Sequence, residues 1–144
     1  MKMKSNAVHY GYFEKFDGGP TLLFMGGASI ASLLELFEEI AASPVGTRID
    51  LSEKANFAAK KNTSVVISVT PSPSVNIRIL GHKPGHEISL GVTAEMASHF
   101  ATLTEIVVAS SFPCHHYLDI CANCDLTVLV SKNEYDEETF RWED

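Results

Sequence analysis

Between Thr63 and Thr70 the chain places Val65, Val66, Ile67 and Val69 in a nearly continuous β-branched run. Such side chains are stiff in a helix and pack well on a pleated surface. A run with so little polar alternation is buried on both faces or sits at a sheet centre. Pro71-Ser72-Pro73 breaks it, because proline has no N–H to give a ladder. A central strand needs neighbours, and the rest of the chain supplies them. Val75, Ile77 and Ile79 alternate with Asn76 and Arg78, the period of a half-buried strand. Gly81-His82-Lys83-Pro84-Gly85 reads as a hairpin loop, after which 87–90 returns as a strand. Residues 7–16 and 21–25 flank the turn signal Asp17-Gly18-Gly19-Pro20 and read as a β-hairpin. Residues 46–51 read as a short strand, and 115–120 and 125–131 as two strands around the tight Cys121-Ala122-Asn123-Cys124 turn. Residues 52–62 are polar and carry no clear period.

Two segments break the strand pattern. Ile30, Leu33, Leu34, Phe37, Ile40 and Ala41 share one face at 3.6-residue spacing, which predicts a helix over 29–42. Ser29, or Ser32 in a capping box with Glu35, is its expected start, and Ser43-Pro44 its stop. A second helix follows Thr93, the expected cap, with Glu95 in its first turn. Met96, Phe100, Leu103, Ile106 and Val107 mark its expected buried face. The expectation is an α+β fold, a mostly antiparallel sheet with two amphipathic helices on one face. At 144 residues the chain suits a single domain, 1–144. Its halves, 1–70 and 74–144, each read hairpin, helix, strand, strand. A shift of 66 places Ile30 on Met96, Leu34 on Phe100, Phe37 on Leu103 and Ile40 on Ile106. A shift of 69 places Ile49-Asp50-Leu51 on Leu118-Asp119-Ile120. This suggests a tandem ββαββ pseudo-repeat, against the alternative that two amphipathic helices after two hairpins align by coincidence.

Composition excludes several functions. A net charge of −7 argues against non-specific nucleic-acid binding and against docking on anionic lipid. The basic start, Met1 to Asn6, has no apolar core behind it and does not read as a signal peptide. The uncharged stretch 20–34 falls short of the ~18–20 residues that span a bilayer. Three cysteines, an odd count, argue against a secreted disulfide framework and for reduced thiols in the cytoplasm.

Each candidate for chemistry meets a plainer reading. Cys121 and Cys124, two residues apart on a turn, form half of a structural zinc site. Cys114 is about 20 Å away if 115–120 is a regular strand, and His115 and His116 are nearly as far. The missing ligands would then be His82 or His86, and the plainer reading is a hairpin turn with two thiols. Redox chemistry at these thiols wants a helix N-terminus, which the turn lacks. Cys114 can pair only with His116 as nucleophile and base, because strand neighbours face opposite ways. Met25-Gly26-Gly27-Ala28-Ser29 joins a strand to a helix but lacks both the dinucleotide and the phosphate-loop patterns. Asp50 and Asp119 match between the halves and would form a carboxylate pair only if the fold brought them together. The expectation is a non-enzymatic chain without cofactor, with a small ligand-binding or enzymatic domain, or a zinc module on Cys121 and Cys124, as alternatives.

Charge is more informative. Residues 1–118 carry nine Lys/Arg against ten Asp/Glu, a net of −1. Residues 119–144 carry two against eight, a net of −6. The acidic tail, 132–144, interleaves its carboxylates with Tyr135, Phe140 and Trp142. A solvated tail explains the charge but not the aromatics, which suit a surface that steers and grips a basic partner. The expected partner-binding residues are Glu134, Tyr135, Asp136, Glu137, Glu138 and Trp142.

His116-Tyr117-Leu118-Asp119, followed by Asp125-Leu126-Thr127-Val128-Leu129-Val130-Ser131-Lys132-Asn133-Glu134-Tyr135, resembles the C-terminal end of small acidic bacterial immunity proteins. These guard a cell against polymorphic or contact-delivered toxins. The resemblance implies a cytoplasmic, non-enzymatic α+β protein that occludes the active site of one cognate basic toxin, for example a nuclease. An open sheet edge would also allow a homodimer.

Overall fold

A computed structural model describes residues 7–16, 19–80, 85–120 and 125–132. The first hairpin forms from β1 (Val8–Phe16) and β2 (Gly19–Gly26), antiparallel, with Tyr10 opposite Phe24 and Gly11 opposite Leu23. A 3-10 turn, Ala28–Ile30, then leads into α1 (Ala31–Ala41). Leu33, Leu36, Phe37 and Ile40 are the buried residues of α1, while Leu34 and Ala41 are only partly covered. Leu36 lies inside although the expected stripe omits it. No side chain caps α1. The Ser29 hydroxyl instead donates to the Ala7 carbonyl at 3.0 Å, tying the helix entry to the start of β1.

β3 (Arg48–Asp50) is shorter than expected. The polar stretch after it holds a second 3-10 turn, Leu51–Glu53, and β4 (Phe57–Ala59). The β-branched run is β5 (Thr63–Val69), and β6 (Ser74–Ile79) and β7 (His86–Val92) follow as an antiparallel pair. Gly85 opens β7 because a Cβ there would stand 2.6 Å from the Asn62 carbonyl oxygen. α2 (Ala94–Ala109) starts at Thr93, whose hydroxyl accepts from the Met96 N–H at 3.0 Å, as the sequence predicts. Its buried residues are Ala97, Phe100, Ala101, Thr104 and Val107. Ile106, expected inside, is 54% exposed. That buried face combines the small Ala97, Ala101 and Thr104 with Phe100. β8 (Cys114–Leu118) and β9 (Thr127–Lys132), the last strands among the described residues, form an antiparallel pair.

The fold is α+β. Its strands divide between two sheets rather than one: β4-β1-β2-β9-β8 and β3-β5-β7-β6. Each is mixed: a parallel pair, β2 with β9 or β5 with β7, lies between antiparallel pairs, and β4 adds a second parallel pairing, to β1, at the edge of the five-stranded sheet. β5 is interior to its sheet, as its β-branched run requires. Both helices pack on each other, with Phe37 and Phe100 meeting edge to face at 5.6 Å between ring centres. Phe24, Ile67, Leu90, Leu118 and Val128 close around the same point from the two sheets. One apolar cluster therefore joins the inner faces of both sheets to both helices.

Exchanging β1, β2, β3 and β5 for β6, β7, β8 and β9 maps the order β1-β2-β9-β8 onto β6-β7-β5-β3, the second sheet read backwards. The helices correspond less closely, since Ile40 is buried and Ile106 is not. β4 has no counterpart among the described strands.

Candidate functional site

The expected partner-binding residues Glu134, Tyr135, Asp136, Glu137, Glu138 and Trp142 lie outside the described residues, as do Cys121 and Cys124. The structure describes the strand from which the acidic tail departs. β9 lies between β2 and β8, and Leu129 and Val130 are fully buried there. Its last residue, Lys132, donates from Nζ to the Val108 and Ser110 carbonyls, each at 2.8 Å. These carbonyls belong to the last turn of α2 and its C-cap, where unpaired acceptors and the helix dipole both favour a cation. The tail's root is thereby fastened to a helix end. Sequence reading misses this, because a lone lysine at a strand end carries no local signal.

The edge strand β8 separates its side chains as the strand period demands. Cys114, His116 and Leu118 turn toward the helices, and His115 and Tyr117 take the other face, their rings 5.4 Å apart and nearly perpendicular. Cys114 and His116 thus share a face, as expected of a nucleophile and its base. The thiol, however, contacts the Val107 carbonyl at 3.9 Å, a contact that anchors the strand to α2. Phe112, just before this strand, and Ile106 of α2 are exposed, and Tyr117 is 43% exposed on β8. The sequence reading uses Phe112 only as the end of a connection.

Asp50 and Asp119 do not sit on neighbouring central strands. Asp50 ends β3, an edge of the four-stranded sheet, and Asp119 follows β8, an edge of the five-stranded one. Asp50 accepts from the Ser52 N–H at 3.0 Å and hydroxyl at 2.8 Å, capping the 3-10 turn. Asp119 is exposed. Asp50 serves its own strand end.

The glycine-rich joint is explained by packing. A Cβ on Gly26 would stand 2.8 Å from the Ser29 hydroxyl, and the Gly27 carbonyl accepts from the Ile30 N–H at 3.1 Å. The His86 ring lies tilted against Tyr12, centres 4.5 Å apart, and 3.4 Å from the Glu14 carboxylate. Burial first, and then Glu14 and Asp125, push the Tyr12 phenol above its ordinary value. Among the described residues no three His, Cys, Asp or Glu side chains are grouped to hold a metal ion. A shallow groove between the helices is lined by Glu38, Ala42, Ala101 and Glu105, carboxylates at its rim and small residues at its floor. Among the described residues, no helix is long and apolar enough to cross a membrane.

Comparison with protein-family models, curated proteins and solved structures finds no match to this chain.

Proposed function

We propose that this chain is a protein-binding domain of the immunity or inhibitor type that acts in the cytoplasm and neutralises a basic protein toxin. The observation that carries the reading is the placement of charge. Residues 119–144 hold a net of −6 out of the chain's −7, two Lys/Arg against eight Asp/Glu. β9, the strand from which the acidic tail departs, is interior to a sheet, and its end is clamped to α2 through Lys132. A dense negative segment on a fixed root concentrates field toward one approach direction, which accelerates encounter with a positive partner. In this reading Glu134, Asp136, Glu137 and Glu138 take the place of the partner's polyanionic substrate, with Tyr135 among them as an aromatic contact.

The test begins by capturing the tagged protein from its native host at low salt and at high salt. A single near-stoichiometric basic protein, weakened by salt, is expected. Association with that partner is then timed for the chain and for a variant carrying Glu134→Gln, Asp136→Asn, Glu137→Gln and Glu138→Gln. Steering predicts that the variant associates about tenfold or more slowly at low salt, with a flatter salt dependence. Unchanged association kinetics would remove the acidic segment as the site.

A further inference from the structure

The four-stranded sheet ends in β6, with no strand beyond it among the described residues. The backbone of β6 divides its hydrogen-bonding groups in a fixed alternation. The Leu80 N–H donates to the Gly85 carbonyl at 3.0 Å, which makes these two a hydrogen-bonded pair at the end of the β6–β7 ladder. Antiparallel ladders alternate hydrogen-bonded pairs with pairs that exchange no bond. Arg78, Asn76 and Ser74 therefore bond their register partners Glu87, Ser89 and Gly91. Val75, Ile77 and Ile79 turn their N–H and C=O groups the other way, out of the sheet edge. The far side of β7 agrees. The His86 N–H donates to the Asn62 carbonyl at 3.3 Å, and the Val92 carbonyl accepts from the Thr70 N–H at 2.8 Å, so the even-numbered residues of β7 face β5 and its flanks.

An open edge is ordinarily blunted by shortness, a proline, a bulge or a free charge. β3 and β4, two other edges, are three residues each. β6 uses none of these devices. It runs for six residues without a proline, and its register with β7 continues without a shift. Its one charged side chain, Arg78, is bonded through Nε, at 2.9 Å, and through Nη2 to the Glu87 carboxylate of β7. The three residues with outward backbone groups are all apolar. Val75 and Ile77 pack against the main core. Ile79 is 78% exposed, more than any other large apolar residue among those described.

We propose that β6 of a second copy completes this edge, antiparallel, about a two-fold axis through Ile77. The strand is complementary to itself in backbone, side chains and charge. A two-fold axis perpendicular to the sheet keeps every side chain on its own face, so it must pass through a residue and not between two. With Ile77 at the centre, Ile77 lies opposite Ile77 of the second copy, and Val75 opposite its Ile79. These are the residues whose backbone groups point outward, and pairing them makes roughly six hydrogen bonds across the seam. The same register matches the side chains. One face sets apolar against apolar and covers Ile79 with Val75 of the second copy. The other face sets Asn76 opposite Arg78 of the second copy, an amide oxygen able to accept from a guanidinium. The chain carries −7 overall, yet β6 and β7 hold one Arg and one Glu, bonded to each other. No net charge on these two strands therefore repels a second copy. The axis joins the four-stranded sheets of two chains into one continuous sheet.

The test uses the free, full-length chain in reducing buffer. Sedimentation from low to high micromolar concentration should show the mass rising from one chain toward two. Amide hydrogen exchange at Val75, Ile77 and Ile79 should slow over the same range. Ile79→Lys changes an exposed side chain, so dichroism and the unfolding midpoint should hold. Association should weaken about tenfold, because an ammonium then faces Val75 at both ends of the seam. Ile77→Lys sets two like charges directly opposite at the axis and should leave only single chains. A mass of one chain at every concentration would overturn the proposal. So would a dimer that Ile79→Lys and Ile77→Lys leave unchanged, or exchange that slows at β8 and not at Val75, Ile77 and Ile79, since another edge would then hold the seam. The measurement involves no toxin, so its failure leaves the steering proposal standing.

Discussion

Tyr10 shows what one residue's surroundings do to its chemistry. Its ring lies in the main core, 1% exposed, 6.0 Å from the Phe24 ring centre. Burial, and then the negative Asp50, push its phenol from 10.0 up to about 12. Both causes disfavour the phenolate, so the folded state holds its proton to higher pH than the unfolded chain does. The resulting stability is complete below pH 10, where neither state ionises, and is lost as pH rises from 10 toward 12. Urea unfolding midpoints taken across that window should fall, and Asp50→Asn, by lowering the folded-state value a little, should make the fall only slightly shallower, because burial is the larger cause. A flat midpoint up to pH 12 would contradict the assignment. Lys132 makes a different prediction. Replacing it with Met keeps most of its apolar stem but strips the Val108 and Ser110 carbonyls of their shared donor. Bonds to a charged group are worth about 1.5–3 kcal/mol, and Lys132→Met should lose about that much in urea unfolding.

At the scale of elements, the two helix starts look alike in sequence and differ in structure. Thr93 caps α2 through the Met96 N–H, whereas Ser29 turns away from the α1 backbone to the Ala7 carbonyl. Thr93→Ala should therefore cost about 1 kcal/mol, and Thr93→Ser only a few tenths. If Ser29 were a cap, Ser29→Asn would be neutral. As a tie to β1 in a tight joint, it should destabilise and should loosen hydrogen-exchange protection at the start of β1 as well as in α1. The contrast shows how far sequence reaches. Capping at Thr93 and the interior place of β5 are local matters, set by a hydroxyl at the right offset and by β-branched density, and both are legible. Ile106 is not, because its exposure depends on which side of α2 the first helix takes. Nor is the separation of Asp50 from Asp119, since each strand's own period says nothing about which strand lies beside it. The proposed site is legible in its charge alone; the Lys132 clamp and the open edge at β6 emerge only when strands are placed in order.

For the whole molecule the decisive fact is where the halves meet. The parallel pair β2 and β9 and the parallel pair β5 and β7 each take one strand from either half. Neither sheet is complete within residues 1–70 or 74–144, since each half contributes only one side of both parallel seams. The apolar cluster is shared in the same way, with Phe37 of α1 against Phe100 of α2 and Leu22 of β2 beside Val128 of β9. A half on its own would leave an interior strand as an open edge in each sheet, and an edge of that kind favours aggregation over folding. Produced separately, 1–70 and 74–144 should show no cooperative urea transition. Mixed at equal concentration they should recover one, with far-ultraviolet and near-ultraviolet dichroism changing together as a single transition demands. A cooperative transition in either fragment alone would mean that the seams are docking surfaces between two self-sufficient units.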